Sequence, residues 1–100
     1  MRVLACGLCG SDVEKLGLAP AGTVLGHEVV ALREDGARTA LIHHLPCGEC
    51  ERCRAGYEST CERFAAPTIV PGGFAEHVAA TDGIPLPDEV DDAVLSLIHI

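Results

Sequence analysis

Four cysteines crowd into fifteen residues, where Cys47, Cys50, Cys53 and Cys61 form a Cys-x2-Cys-x2-Cys-x7-Cys array. Zinc takes four soft or borderline ligands at tetrahedral corners, with sulfur about 2.3 Å away, and two-residue spacers let successive thiolates curl around one ion. Gly48 and Gly56 permit the tight turns between ligands. Four thiolates fill the coordination sphere, so the array predicts a structural zinc site and not a catalytic one. Two other chemistries use close-spaced cysteines. Iron–sulfur runs with this start continue as Cys-x3-Cys-Pro, whereas here the fourth cysteine lies farther on and is followed by Glu62. Disulfides rarely persist in a reducing cytosol, which is where the rest of the composition puts the chain.

A second set of residues is spread more widely. Cys9-Gly10-Ser11-Asp12, then Gly26-His27-Glu28, then the four-cysteine lobe, then Pro71-Gly72-Gly73-Phe74-Ala75-Glu76 follow one another along the chain. A lone histidine in an apolar stretch reads as a hydrogen-bonded core residue, and a lone Gly-His-Glu carries little weight. In combination and in this order, the motifs resemble those of zinc-dependent medium-chain alcohol dehydrogenases. The resemblance is to their GroES-like catalytic domain, in the branch of polyol and threonine dehydrogenases, and it runs over about residues 3–94.

That resemblance implies a catalytic zinc with Cys9 and His27 as ligands, a thiolate and a neutral imidazole that leave a position open for water or a substrate oxygen. It implies that Ser11 hydrogen-bonds the substrate alcohol and starts its proton toward solvent. Asp12 becomes the carboxylate that fixes the ring and tautomer of a ligand histidine. Glu28 becomes the glutamate close to the metal, an alternative ligand during water exchange. The implied reaction is oxidation of an alcohol or polyol by hydride transfer to NAD(P), with the metal stabilising the alkoxide near neutral pH. Two features depart from the family pattern. Where many relatives carry a relay histidine three residues after Ser11, this chain has Glu14; and the hairpin between Val29 and Thr39 is short, without the usual Gly-Asp-Arg-Val.

The elements that must position these residues follow from pattern and turn chemistry. Val3-Leu4-Ala5 reads as the end of a strand whose pairing partner lies upstream of the sequence. Ser11-Asp12 can cap a helical turn over 13–16. The β-branched, apolar run 24–32 reads as a strand interrupted by His27-Glu28, Glu34-Asp35-Gly36 as a turn, and 39–43 as the return strand of a hairpin. Residues 46–63 show neither helical nor strand period, so ligation must hold them together. After the turn at Pro71-Gly72-Gly73 comes a strand over 74–80, then extended chain at 84–87 where prolines exclude the helical region. A helix over 93–98 is capped by Asp91 or Asp92. The expected fold is mainly β: a GroES-like, partly open barrel with short helices and a structural-zinc lobe at 46–63.

His43 and His44 precede the lobe and are most economically strand-end residues, though both are placed to line a cleft. Cys6 matches no ligand of the family and reads as buried packing. His77 and the charges Glu49, Glu51, Arg52 and Arg54 read as solvated surface.

Composition bounds the whole. One hundred residues allow at most one domain. Fifteen acidic against seven basic side chains give a net charge of −8, which disfavours a phosphate-tracking surface and hence nucleic acid as partner. No apolar run approaches the roughly 20 residues of a membrane span, and Met1-Arg2-Val3 does not open a signal peptide; a cytoplasmic protein with no membrane partner is expected. No Gly-x-Gly-x-x-Gly turn occurs, so the Rossmann domain is expected to belong to a longer parent, a homodimer or homotetramer, and this chain alone is expected to be inactive. Leu95-Ser96-Leu97-Ile98-His99-Ile100 is also what one frame of a common sequencing-library transposon end encodes, so 95–100 is read as a non-native tail and His99 as no ligand. The rival reading is a stand-alone zinc-binding interaction module without catalysis.

Overall fold

The computed structural model describes residues 1–63 and 68–96. Its centre is a four-stranded antiparallel sheet ordered β1 (Arg2–Gly7), β2 (Glu28–Leu32), β3 (Arg38–Leu41) and β6 (Gly83–Pro85). Two short strands, β4 (Ile69–Val70) and β5 (Ala79–Ala80), pair separately. The helices are brief: α1 (Gly10–Lys15), α2 (Glu51–Arg54) and α3 (Asp92–Ser96), with a 3-10 turn at Glu58–Thr60. The described residues thus form a mostly-β fold with few short helices and no closed barrel.

β2 is the central strand, and its sequence shows why. Val29, Val30 and Ala31 are wholly buried, so both faces of the strand are covered, as suits a run of β-branched and small apolar side chains. Val29 and Ala31 join Leu41, Ile69 and Val78 in the core, with Met1, Val3, Cys6, Ala75 and Ala80 packed around them. Each fully buried aliphatic side chain contributes roughly 1.5–3 kcal/mol over leaving it exposed. With no Trp in the chain, this aliphatic cluster carries the burial.

Several elements differ from their sequence expectation. Val3-Leu4-Ala5 is not the end of a strand lacking its partner: β1 runs over six residues and pairs with β2, Gly7 opposite Glu28 and Arg2 opposite Leu32. The strand expected over 24–32 begins only at Glu28, because the carbonyls of Leu25 and Gly26 accept from Phe74 and Gly73 at 3.0 and 2.9 Å. Gly26 has φ +103, and a Cβ there would lie 2.8 Å from both the Cys6 Sγ and the Phe74 nitrogen; a Cβ on Gly73 would strike Val29. The two glycine motifs therefore exist to let two backbones touch.

The strand expected over 74–80 shrinks to Ala79–Ala80 for the same reason, with an isolated bridge from His77 to Arg2. Residues 46–63 are not free of helix, since α2 and the 3-10 turn lie within them. The last helix starts as expected, with Asp91 Oδ1 accepting from the Ala93 nitrogen at 2.9 Å; its expected end at 97–98, and His99, lie outside the described residues. α3 lies against β1 and β2.

Candidate metal centres

Cys9 follows β1 after Leu8 and takes the N-cap of α1, two places earlier than the cap expected at Ser11-Asp12. Asp12 is then the third helical residue, and its Oδ2 accepts the Cys9 backbone N–H at 3.0 Å. Its other oxygen, Oδ1, lies 3.4 Å from His27 Nδ1. This carboxylate is buried, so the two contacts are what make its burial tolerable. An acceptor at Nδ1 favours the tautomer with its proton there and leaves Nε2 with the ring's lone pair. One side chain thus ties the helix start to the histidine.

Glu28 opens β2 and is buried, opposite Gly7. A Cβ on Gly7 would collide with Glu28 Oε2, so the glycine is what gives this carboxylate its space. The ligand atoms of Cys9, His27 and Glu28 all lie within 4.8 Å of one another. A thiol, an imidazole and a carboxylate at that spacing are a donor set that fits zinc with a position to spare. Ser11 is half-buried on the first turn of α1, and Glu14 is exposed on the same helix. Beside them runs a largely apolar groove of about 290 Å³, lined by Leu8, Leu16, Val24, Leu25 and Phe74 together with Asp12 and Thr23.

The lobe is built differently. Cys50 caps α2, its sulfur accepting from the Cys53 nitrogen at 3.5 Å, so a Cys-x2-Cys spacer winds into one helical turn. Cys47 accepts from the nitrogens of Glu49 and Cys50 at 3.5 and 3.3 Å, and Cys61 from those of Cys47 and Arg63 at 3.4 and 3.3 Å. Gly48 turns the chain with φ +73. All four sulfurs fall within 4.8 Å of one another, with Cys47 to Cys53 at 3.9 Å and Cys50 to Cys61 at 4.0 Å. Thiolates about 2.3 Å from one tetrahedral ion stand about 3.8 Å apart. The backbone has already shaped the cage.

Its electrostatics agree. The Cys53 N–H, and then the Glu62 N–H, pull the Cys50 thiol down to about 6, and the N–H groups of Glu49 and Cys50 lower Cys47. Burial pushes Cys53 up to about 12. Cys6 is raised to about 11, chiefly by burial and next by the Asp12 charge; it packs against the core as an inert thiol.

Two neighbours escaped the sequence reading. The His43 ring stands 5.0 Å from that of His27, tilted by 58°, although it was expected as an ordinary strand-end residue. Only its position just past β3 hinted at a cleft-lining role. His44 Nε2 lies 3.3 Å from the Glu58 carbonyl and ties the strand end to the lobe. His77 and the charges at Glu49, Glu51, Arg52 and Arg54 are exposed, as expected of solvated surface.

The fold and both clusters have relatives. Residues 1–88 match the alcohol dehydrogenase GroES-like domain. An L-threonine 3-dehydrogenase of Idiomarina loihiensis is 31% identical over an alignment covering 97% of this chain and 34% of the relative. Among solved structures, galactitol-1-phosphate dehydrogenase from Escherichia coli superposes with a TM-score of 0.75 at 28% identity, over 97% of this chain and 33% of that one. Acetophenone reductase from Geotrichum candidum, solved in complex with NAD, gives 0.73 at 27%, over 96% and 34%. The chain spans about a third of the length of the curated relatives it matches. Motif order, sheet and domain match agree, and the chain belongs to the alcohol dehydrogenase GroES-like domain family.

Proposed function

We propose that this chain is the metal-binding part of the catalytic domain of a zinc-dependent dehydrogenase that oxidises an alcohol or polyol by hydride transfer to NAD(P). The observation that carries the reading is the Asp12 carboxylate, which binds the Cys9 backbone and His27 Nδ1 at once and so organises a Cys9–His27–Glu28 donor set beside an apolar groove. Zinc held there would supply Lewis acidity toward an alcohol oxygen. The chain's own groups do the rest. Leu8, Leu16, Val24, Leu25 and Phe74 exclude water from the carbon skeleton of the substrate, and Asp12 keeps the His27 ring from turning. The Ser11 hydroxyl takes the first hydrogen bond from the substrate alcohol and passes its proton outward, with Glu14 in place of the usual relay histidine.

Cys47, Cys50, Cys53 and Cys61 hold a second, structural zinc that keeps the lobe folded. The nicotinamide cofactor binds a Rossmann domain of the parent enzyme, since this sequence has no Gly-x-Gly-x-x-Gly turn. The parent is a cytoplasmic homodimer or homotetramer acting on a small molecule, without nucleic acid or membrane partners, and residues 1–94 are its share of the domain. Among the described residues no helix is long and apolar enough to cross a membrane. The test is metal content. Purified under reducing conditions, the chain should bind two zinc ions, and Cys9→Ala should bind one. A wild-type chain that never exceeds one zinc would sink the second centre and with it the enzymatic reading.

A further inference from the structure

The proposed reaction leaves the substrate as an alcohol or a polyol, and the walls of the groove decide between them. We propose that the groove takes a neutral alcohol with an apolar carbon skeleton and at most one further hydroxyl, and that Thr23 sets this specificity by hydrogen-bonding that second hydroxyl. The inference rests on the zinc-dehydrogenase reading and narrows its substrate class.

Only two of the seven residues lining the groove carry a polar side chain, Asp12 and Thr23. Asp12 is already committed. Its Oδ2 accepts the Cys9 N–H at 3.0 Å, its Oδ1 lies 3.4 Å from His27 Nδ1, and with its side chain 2% exposed it has little left to offer a substrate. Through those contacts the groove and the donor set share a wall. Thr23 differs: it is half-buried, its N–H bonds the Pro20 carbonyl, and among the described residues its hydroxyl has no hydrogen-bond partner.

The rest of the lining is aliphatic or aromatic and faces outward, with Leu8 and Leu16 69% and 71% exposed and Phe74 45%. Large apolar side chains grouped outside the core around a few polar groups mark a binding site, and about 290 Å³ suits the body of a small molecule. Chemistry then sorts the substrates. A hydroxyl that enters such a groove without a partner loses its water and gains nothing in return, and an apolar pocket rejects one added hydroxyl by about 100-fold. Thr23 can meet one hydroxyl, so the others of a polyol go unmet. Charge sorts them too. Asp12 carries the only charged side chain in the lining, and no Lys or Arg stands there to receive a substrate carboxylate or phosphate.

Amide 1H–15N shift mapping on the zinc-loaded chain tests this with cyclohexanol, trans-1,4-cyclohexanediol and a hexitol. The two cyclic alcohols should move the amides of Leu8, Val24, Leu25 and Phe74 with affinities within about tenfold of each other, and the hexitol should bind at least about 100-fold more weakly. Thr23→Val, which keeps the shape of the side chain, should weaken the diol by about tenfold or more relative to cyclohexanol. A hexitol that binds as well as cyclohexanol, a diol whose relative affinity ignores Thr23→Val, or shifts that bypass the groove would each overturn the inference. Zinc is counted in the same samples. Two bound zinc ions with no alcohol in the groove overturn the inference alone, whereas a chain that never exceeds one zinc takes the proposed function down with it.

Discussion

The lobe and the mixed centre solve the same problem, gathering donors around one ion, by opposite means. In the lobe every donor comes from one stretch of fifteen residues, and backbone N–H groups of that same stretch aim at the sulfurs. In the mixed centre the donors come from the start of α1, the residue before β2 and β2 itself, so only the folded sheet brings them together. The lobe therefore depends on its metal, and the mixed centre depends on the core. Local ligand clusters couple folding to metal binding, whereas dispersed ones borrow the stability of the surrounding fold.

The sharpest way to break that contrast is Cys53→Ser. Apparent zinc affinities of structural sites are about 10–16 kcal/mol, so losing one of four ligands should cost roughly 3 kcal/mol, more than 100-fold in affinity. Hydrogen exchange should then show residues 47–61 opened while Val29, Ala31 and Leu41 stay protected. Loss of protection in the sheet as well would mean that the lobe is part of the core and that the contrast is false.

A smaller effect should come from the other side. Asp12→Asn keeps an acceptor for the Cys9 N–H but removes the charge at His27 Nδ1. Such partners cost about 10–100-fold in metal affinity when removed. Isothermal titration should show the second zinc weakened by that factor and the lobe zinc unchanged; equal weakening of both would contradict independent centres.

How much was legible beforehand follows the same division. The cysteine array could be read from spacing alone, because its ligands are neighbours in sequence and its turns need only glycine. Cys9, Asp12, His27 and Glu28 could be identified only through motif order, because nothing local says that the start of α1 and the edge of β2 meet. His43 could be placed near a cleft by its position before the lobe, but its pairing with His27 was not legible, since that contact depends on how the chain leaves β3 after the Leu41–Gly83 pair. The element boundaries failed for one physical reason. The segments at 24–27 and 74–78 look like parts of strands, yet Gly26, Gly72 and Gly73 let the backbones of Leu25 and Gly26 pair with Gly73 and Phe74, and 76–78 meet the start of β1 only through an isolated bridge. The helical turn in the lobe was hidden because a sulfur caps it, where hydroxyls and carboxylates are the usual signal.

Arg38 offers the finest test of whether the mixed centre leans on the sheet. From β3 its guanidinium reaches Asp92 at the start of α3, with Nη1 to Oδ1 at 2.6 Å, and donates through Nη2 to the Pro87 carbonyl. Its side chain is largely covered, so it clamps the segment 87–92, and with it α3, against the strands that carry Glu28. Arg38→Met keeps the aliphatic stem and deletes both charge-assisted bonds. Partly covered bonds of this kind are worth about 1–2 kcal/mol, and for a domain of this size that lowers the thermal midpoint by roughly 4–15 °C. Zinc at the mixed centre should weaken by less than about tenfold, because the clamp touches its scaffold and none of its donors. The lobe should not respond, since no bond of Arg38 reaches residues 46–63. A loss of lobe zinc in this variant, measured by displacement with a chromogenic chelator, would show that strain in the sheet travels through His43 and His44 into the cage.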